Sequence, residues 1–312
     1  MFKFLLKILL SLNKIYYFFH YSDIILIMKI LLTGSGGFVG QNLKQYLSIY
    51  YNVLSPRSFE LDVTNYSEVI NYFEEHDIDL IIHCGSIGGV RGQEDEENTL
   101  NANLKMIDNL LFAKKKNTRI ITFGSGAMYN KARNLHKVKE NEIGKIIPND
   151  LYGKSKMLIA QKVQNFLDVL CLNIFACFGY NEKPSRFPSY AINQNLKKDN
   201  IVINQNVVFD YLFIEDLNKI VKHFIEFGWN KQNIVNITPT QSISLLEIAN
   251  IVNKISDYKS NIIIKNEILN FEYTGDNSLL LKYIPNFEFT PYEVGILKLF
   301  EFIQAQSNIE FV

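Results

Sequence analysis

From Met28 onward the chain alternates short apolar runs with longer stretches in which apolar residues recur every three or four positions. The pattern predicts strand Lys29–Thr33, helix Phe38–Tyr50, strand Asn52–Ser55, helix Tyr66–His76 and strand Leu80–Cys84. Helix Leu100–Lys116, strand Arg119–Gly124, helix Leu151–Leu167 and strand Leu170–Phe175 follow. Strands and helices in alternation are the signature of an α/β protein with a doubly wound parallel sheet flanked by helices. After Gly179 the period breaks. Pro184, Pro188 and a polar stretch up to Asn206 separate a helical PSYAINQNLKK from short strands, and helices are expected over Asp216–Phe227, Leu245–Ser256 and Pro291–Gln304. A sheet domain of residues 28–178 and a smaller C-terminal α/β lobe of residues 179–312 are therefore expected. No internal repeat, low-complexity tract or long linker separates them, so the two should pack together.

Residues 1–27 need a separate reading. They are apolar but carry Lys3, Lys7 and Lys14; the longest uncharged run, Ile15–Ser22, has eight residues where a spanning helix needs roughly 18. No small-residue cleavage site is visible, and Met28 stands directly before KILLTGSGG. An extension outside the fold is expected. The alternatives are a peripheral amphipathic helix, the one case in which membrane contact would follow, and a secretory signal.

Composition narrows the setting. A chain of 312 residues buries a sizeable core unaided. Its 32 basic residues balance 32 acidic ones, which argues against a nucleic-acid partner. Cys84, Cys171 and Cys177 form no CxxC or Cys/His cluster with metal-ligand spacing, so no metal is expected. Were 171 to 177 one strand, the last two would lie about 20 Å apart, too far to bridge. A reduced, cytoplasmic protein is the expectation.

TGSGGFVG places Gly34, Gly37 and Gly40 immediately after a strand and at the start of a helix. The first glycine permits the tight turn, the second lets backbone approach a pyrophosphate, and the third lets helix pack on strand. The N–H groups of the helix start, at Phe38 and Val39, then attract a diphosphate. About 28 residues later LDVTN offers Asp62 beside a predicted helix start. Dinucleotide binding follows. After the second strand an Asp or Glu would hold the ribose 2′-hydroxyl of NAD, but here stand Ser55, Pro56, Arg57 and Ser58. A hydroxyl and a guanidinium suit a 2′-phosphate better, so NADP is expected, with NAD as the alternative.

Tyr152 and Lys156 in YGKSK are four apart and share a helix face, and no other tyrosine in the chain has lysine at that spacing. Ser125 closes the strand in ITFGSGAMY, at the carboxyl end where open α/β sheets bind ligands. The three make chemical sense together. A ketone that accepts a hydride develops alkoxide charge and needs a proton donor close by. A free phenol is a poor acid–base group at neutral pH, and a neighbouring ammonium favours its ionised form. The serine hydroxyl can hold the substrate oxygen.

The order TGSGGFVG, LDVTN, DLIIHCGS, NLKMIDNLL, FGSGAMY and YGKSK resembles the extended short-chain dehydrogenase/reductase family, the sugar-nucleotide epimerases, dehydratases and 4-keto reductases, from about Met28 to the C-terminus. The resemblance implies a Rossmann domain holding NAD(P), a C-terminal lobe holding a nucleotide-linked sugar, and the catalytic triad Ser125, Tyr152 and Lys156, the last two also touching the cofactor. It implies that Asp62 and Val63 flank the adenine, that Cys84, Gly85 and Ser86 line the cofactor cleft, and that Asn103 helps position the active-site helices. It also implies a homodimer through the helices Leu100–Lys116 and Leu151–Leu167.

Departures from the family pattern bear on the substrate. FDYLFIEDL is similar to the family's R-D-Y-x-x-V-x-D segment but carries Phe209 where an arginine often contacts the substrate phosphate. In LNIFACFG, Asn173 replaces arginine and Ala176 a substrate-facing asparagine. Arg186, then Lys183, are the expected replacement cations. The loop SIGGVRG resembles that of GDP-fucose synthases, but Ala127 stands where those enzymes have an acid–base cysteine. Gly126 and Ala127 likewise replace a dehydratase's Asp-Glu pair. The leading expectation is NAD(P)-dependent reduction at C4 of a nucleoside-diphosphate 4-keto-6-deoxy sugar. An NAD-dependent 4-epimerase using the same triad is the alternative, and a non-enzymatic Rossmann protein would have no use for the triad.

Overall fold

The computed structural model describes residues 28–90 and 93–309; the expectations for residues 1–27 lie outside the described residues. The chain runs β1 (Lys29–Thr33), α1 (Phe38–Leu47), β2 (Asn52–Leu54), α2 (Tyr66–Glu75), β3 (Leu80–His83), α3 (Thr99–Ala113), β4 (Arg119–Ser125) and β5 (Leu135–Val138). Next come α4 (Leu151–Val163), β6 (Val169–Ile174), β7 (Ala176–Phe178), α5 (Phe187–Leu196), β8 (Ile201–Gln205), β9 (Val208–Phe209), β10 (Tyr211–Phe213) and α6 (Ile214–Phe227). The remainder is β11 (Ile234–Asn236), β12 (Ile243–Ser244), α7 (Leu245–Ile255), β13 (Ile262–Asn266), β14 (Tyr273–Gly275), α8 (Ser278–Tyr283) and α9 (Tyr292–Ile309).

Six parallel strands form the central sheet in the order β2, β1, β3, β4, β6, β11. Ile30 pairs with Leu80, Ile81 with Ile120 and Ile121 with Leu170. Successive side chains alternate between two cores: Ile30, Leu32, Ile82 and Leu172 enter one, Leu31, Ile81, Ile120 and Cys171 the other. Because helices cover both faces, these strands are apolar at nearly every position. The fold is the expected α/β Rossmann architecture. Winding proceeds to β2 on one side of β1 and to β3 on the other, so the reversal point lies between β1 and β3, and the crevice outside their carboxyl ends is the place for a ligand.

The expected strand over Leu170–Phe175 breaks at Phe175, whose ring turns inward against Tyr129 and Tyr273 at 5.7 and 5.4 Å between centroids. Cys171 and Cys177 thus sit on different strands; both are buried, and with the half-buried Cys84 they are free thiols. Helices α3 and α4 end three and four residues earlier than the periodicity suggests, at Ala113 and Val163. The chain also crosses the boundary expected at residue 178 more than once. β11 comes from beyond residue 178 yet pairs with β6 in the central sheet. β5 leaves the sheet domain to join β14 in the four-stranded sheet β12, β9, β14, β5. Among the described residues no helix is long and apolar enough to cross a membrane.

Candidate active site

Gly34 leaves β1 at φ 72°, in the left-handed region that favours glycine. A Cβ there would lie 2.4 Å from the Gly85 nitrogen, so the loop rests directly on the end of β3. A Cβ on Gly40 would lie 2.2 Å from the Gly34 carbonyl oxygen, and the Gly37 N–H donates to that oxygen at 3.1 Å. Gly37 caps α1 without a side-chain hydrogen bond, which leaves the first-turn N–H groups around Phe38 and Val39 for another acceptor. These features fit a dinucleotide diphosphate laid over bare backbone.

Arg57 follows β2 and lies over this loop. Its guanidinium carbon is 3.2 Å from where a Cβ of Gly36 would sit, and the Ser35 hydroxyl ties the loop to the Ser55 carbonyl at 3.3 Å. Asp62 accepts the Thr64 N–H and hydroxyl on one oxygen, both at 2.8 Å, and the Val63 carbonyl accepts the Asn109 amide at 2.9 Å. The N-cap of α2 is Asn65, not Asp62. Ser86 is exposed beyond Gly85, and burial pushes the Cys84 thiol well above its ordinary range.

Ser125 ends β4 and its oxygen accepts the Ala127 N–H at 3.2 Å. Asp150 starts α4 by accepting the Gly153 N–H at 2.8 Å, so Tyr152 and Lys156 lie on adjacent turns of its first half. The buried Lys156 ammonium donates to the Phe123 carbonyl at 2.9 Å and lies 5.6 Å from the centre of the Tyr152 ring. Beneath it, buried His83 pairs with the Thr33 hydroxyl at 2.7 Å; burial, helped by the Lys156 charge, pushes its pKa down to about 3 and keeps the ring neutral.

The loop after β3 closes on Tyr152. A Cβ on Gly89, at φ 72°, would lie 2.8 Å from the tyrosine ring. Asp95 clamps this contact, accepting the Gly89 N–H on one oxygen and the Tyr152 N–H on the other, each at 2.8 Å. Asn103, on α3, accepts the Ile87 N–H and donates to the Ile87 carbonyl, both at 2.9 Å, and reaches the Ser155 hydroxyl at 3.1 Å. Ser155 in turn donates to the Tyr152 carbonyl at 2.8 Å. Asp95 was not legible: in QEDEEN nothing distinguishes it from Glu94, Glu96 or Glu97.

Among the residues expected to face a substrate, Phe209 packs against Tyr211 and Tyr273 at 5.3 and 5.8 Å, giving an aromatic wall. Asn173 is fully buried; it donates to Asn236 at 3.0 Å, and its oxygen occupies the space a side chain on Gly124 would fill. Ala176 is buried in the core. Asp210, beside Phe209, is also buried and accepts from Lys137 at 3.0 Å, Ser242 at 2.6 Å and the Gly275 N–H at 2.9 Å, joining β5, β9 and β14. Arg186 is exposed, donates to the Cys177 carbonyl at 3.0 Å, and lies near enough for its charge to act on the Tyr273 phenol. Lys183 is exposed on the same loop.

The NAD dependent epimerase/dehydratase family profile matches residues 30–238. GDP-L-colitose synthase of Yersinia pseudotuberculosis is 38% identical over 109 residues, 33% of this chain, and the match spans only 35% of that protein's length. Among the solved structures that share the fold are two with a bound cofactor. The GDP-mannoheptose C4 reductase of Campylobacter jejuni with NADP bound superposes with a TM-score of 0.73 at 18% identity, over 89% of this chain and 98% of that one. UDP-glucuronic acid 4-epimerase from Bacillus cereus, in complex with UDP-glucuronic acid and NAD, gives 0.72 at 19% identity, over 89% and 100%.

Proposed function

The chain belongs to the NAD-dependent epimerase/dehydratase family, and within it we propose that the protein reduces the 4-keto group of a nucleoside-diphosphate 6-deoxyhexos-4-ulose with NADPH. The observation that carries this reading is the anchoring of Ser125, Tyr152 and Lys156 around the carboxyl end of β4, beside the glycine crevice. When bound, the nicotinamide supplies a hydride to the sugar carbon. Ser125 holds the ketone oxygen by its hydroxyl, and the Tyr152 O–H delivers a proton to that oxygen as alkoxide charge develops. The Lys156 ammonium offsets the charge left on the phenolate.

Arg57 over the glycine loop supports NADPH, because a guanidinium there meets a 2′-phosphate with a charge-assisted hydrogen bond. Asp62, Val63, Cys84, Gly85 and Ser86 complete the cofactor cleft in this reading, and Arg186 with Lys183 receives the substrate diphosphate from the C-terminal lobe. Exposed Phe112 on α3 and Leu158 on α4 support dimerisation through that helix pair. The test is incubation of purified protein with NADPH and GDP-, dTDP-, CDP- and UDP-linked 4-keto-6-deoxy sugars. One nucleotide series should consume the reduced nicotinamide absorbance. Tightly bound oxidised NAD, with interconversion of 4-epimers and no net oxidation, would move the function to a 4-epimerase.

A further inference from the structure

Tyr273 lies in FEYTGD, far from every motif above, and the fold brings it to the centre of the proposed site. β14 sets it opposite Leu135 of β5 and Phe209 of β9. Its ring is held between Phe175 and Phe209, at 5.4 and 5.8 Å. From there the hydroxyl reaches over the turn after β4: a Cβ on Gly126 would lie 2.6 Å from the Tyr273 oxygen, which brings the phenol beside the Ser125 side chain. A serine oxygen carries one proton and two acceptor positions. The Ala127 N–H fills one of these positions.

We propose that the Tyr273 O–H fills the second, so that the Ser125 proton is left to point at the substrate ketone oxygen; Tyr273 is a positioning residue for Ser125. Burial pushes the phenol well above its ordinary range, so Tyr273 stays protonated and remains a donor throughout the working pH range. The aromatic neighbours fix the ring, and the bare Gly126 gives the hydroxyl its path. The proposal rests on the reading of Ser125 as the residue that holds the substrate oxygen.

Tyr273→Phe keeps the ring and removes the donor. On the 4-keto sugar turned over by wild type, kcat should fall about 10-fold, one hydrogen bond's worth, while the sugar KM stays within about twofold and the melting temperature is unchanged. In a Ser125→Ala background the same substitution should cost no more than about twofold, because the group it orients is already gone. Losses that multiply in the double variant, or full turnover in Tyr273→Phe beside a crippled Ser125→Ala, would overturn the positioning role alone. Full turnover in Ser125→Ala would overturn the reading of the site itself. Crystal structures of wild type and Tyr273→Phe give a readout that needs no substrate: the Ser125 oxygen should leave its wild-type position in the variant, and an unmoved side chain would refute the proposal.

Discussion

Replacing Asn103 by alanine removes one side chain that holds three groups, the Ile87 N–H, the Ile87 carbonyl and the Ser155 hydroxyl. Three hydrogen bonds at about 0.5–1.5 kcal/mol each bound the loss at roughly 1.5–4.5 kcal/mol. Ile87 is exposed, so water re-solvates its backbone, whereas Ser155 is fully buried and keeps its bond to the Tyr152 carbonyl. We therefore expect a loss of about 2 kcal/mol, or a fall of about 3 °C in melting temperature for a chain of this size. Turnover should suffer on the order of 10-fold, because the freed loop carries Gly89 away from the Tyr152 ring and ordering it again costs roughly 1–2 kcal/mol per residue. Asn103→Asp should be worse than alanine: it keeps the acceptor for the Ile87 N–H but sets an unpaired carboxylate against the Ile87 carbonyl in a buried site. Calorimetry and hydrogen exchange at the Ile87 amide read both effects. Stability within about 0.5 kcal/mol of wild type with unchanged exchange, or an aspartate variant as stable as the alanine one, would refute the reasoning.

Arg57→Ala should weaken NADPH roughly 10- to 150-fold and leave NADH almost unchanged, since a charge-assisted hydrogen bond is worth about 1.5–3 kcal/mol; equal loss of both cofactors in a binding titration would defeat the phosphate role. Tyr152→Phe should remove most turnover while leaving cofactor affinity nearly intact, and activity within a few-fold of wild type would take Tyr152 out of the chemistry. Glu182 gives a pH prediction. Its carboxyl is buried, with one oxygen accepting the Ser189 N–H and hydroxyl at 3.1 and 2.7 Å and the other unpartnered, and burial pushes its pKa up to about 7. A carboxyl raised on folding makes the native state hold more protons than the unfolded one, so its contribution to stability falls as pH rises from about 4.5 to about 7 and is level above. Urea unfolding at about pH 5 and pH 7 should show that slope in wild type and a flatter one in Glu182→Gln; identical slopes would remove Glu182 as its source.

Features that depend on one local stretch of chain were readable before the fold was known. Gly34 and Gly40 stand where a Cβ would collide with backbone at 2.4 and 2.2 Å, and that requirement leaves its mark in glycine spacing. Tyr152 and Lys156 share a face through helical period alone, and the central strands are apolar on both sides because both sides are covered. The misses share a different origin. β5 and β14 have four and three residues and meet across more than a hundred positions, too short for any alternation to appear. Tyr273 belongs to that pairing and was hidden with it. Asp95 acts through backbone N–H groups of Gly89 and Tyr152, a demand that any acidic residue of its run could have met in principle. Asn173 illustrates the converse: a departure from the family pattern, asparagine in place of arginine, is here a buried bridge to Asn236.

The central claim is that this site delivers a hydride to sugar C4 with a proton from Tyr152. It is tested most directly with NADPH deuterated at the transferable position and whichever nucleoside-diphosphate 4-keto-6-deoxy sugar is turned over. One deuterium should appear at C4 of the product for each NADPH oxidised, on a single face of the ring, and Tyr152→Phe should abolish the transfer. Deuterium at another carbon, no deuterium in the sugar, or undiminished transfer in Tyr152→Phe would contradict the account.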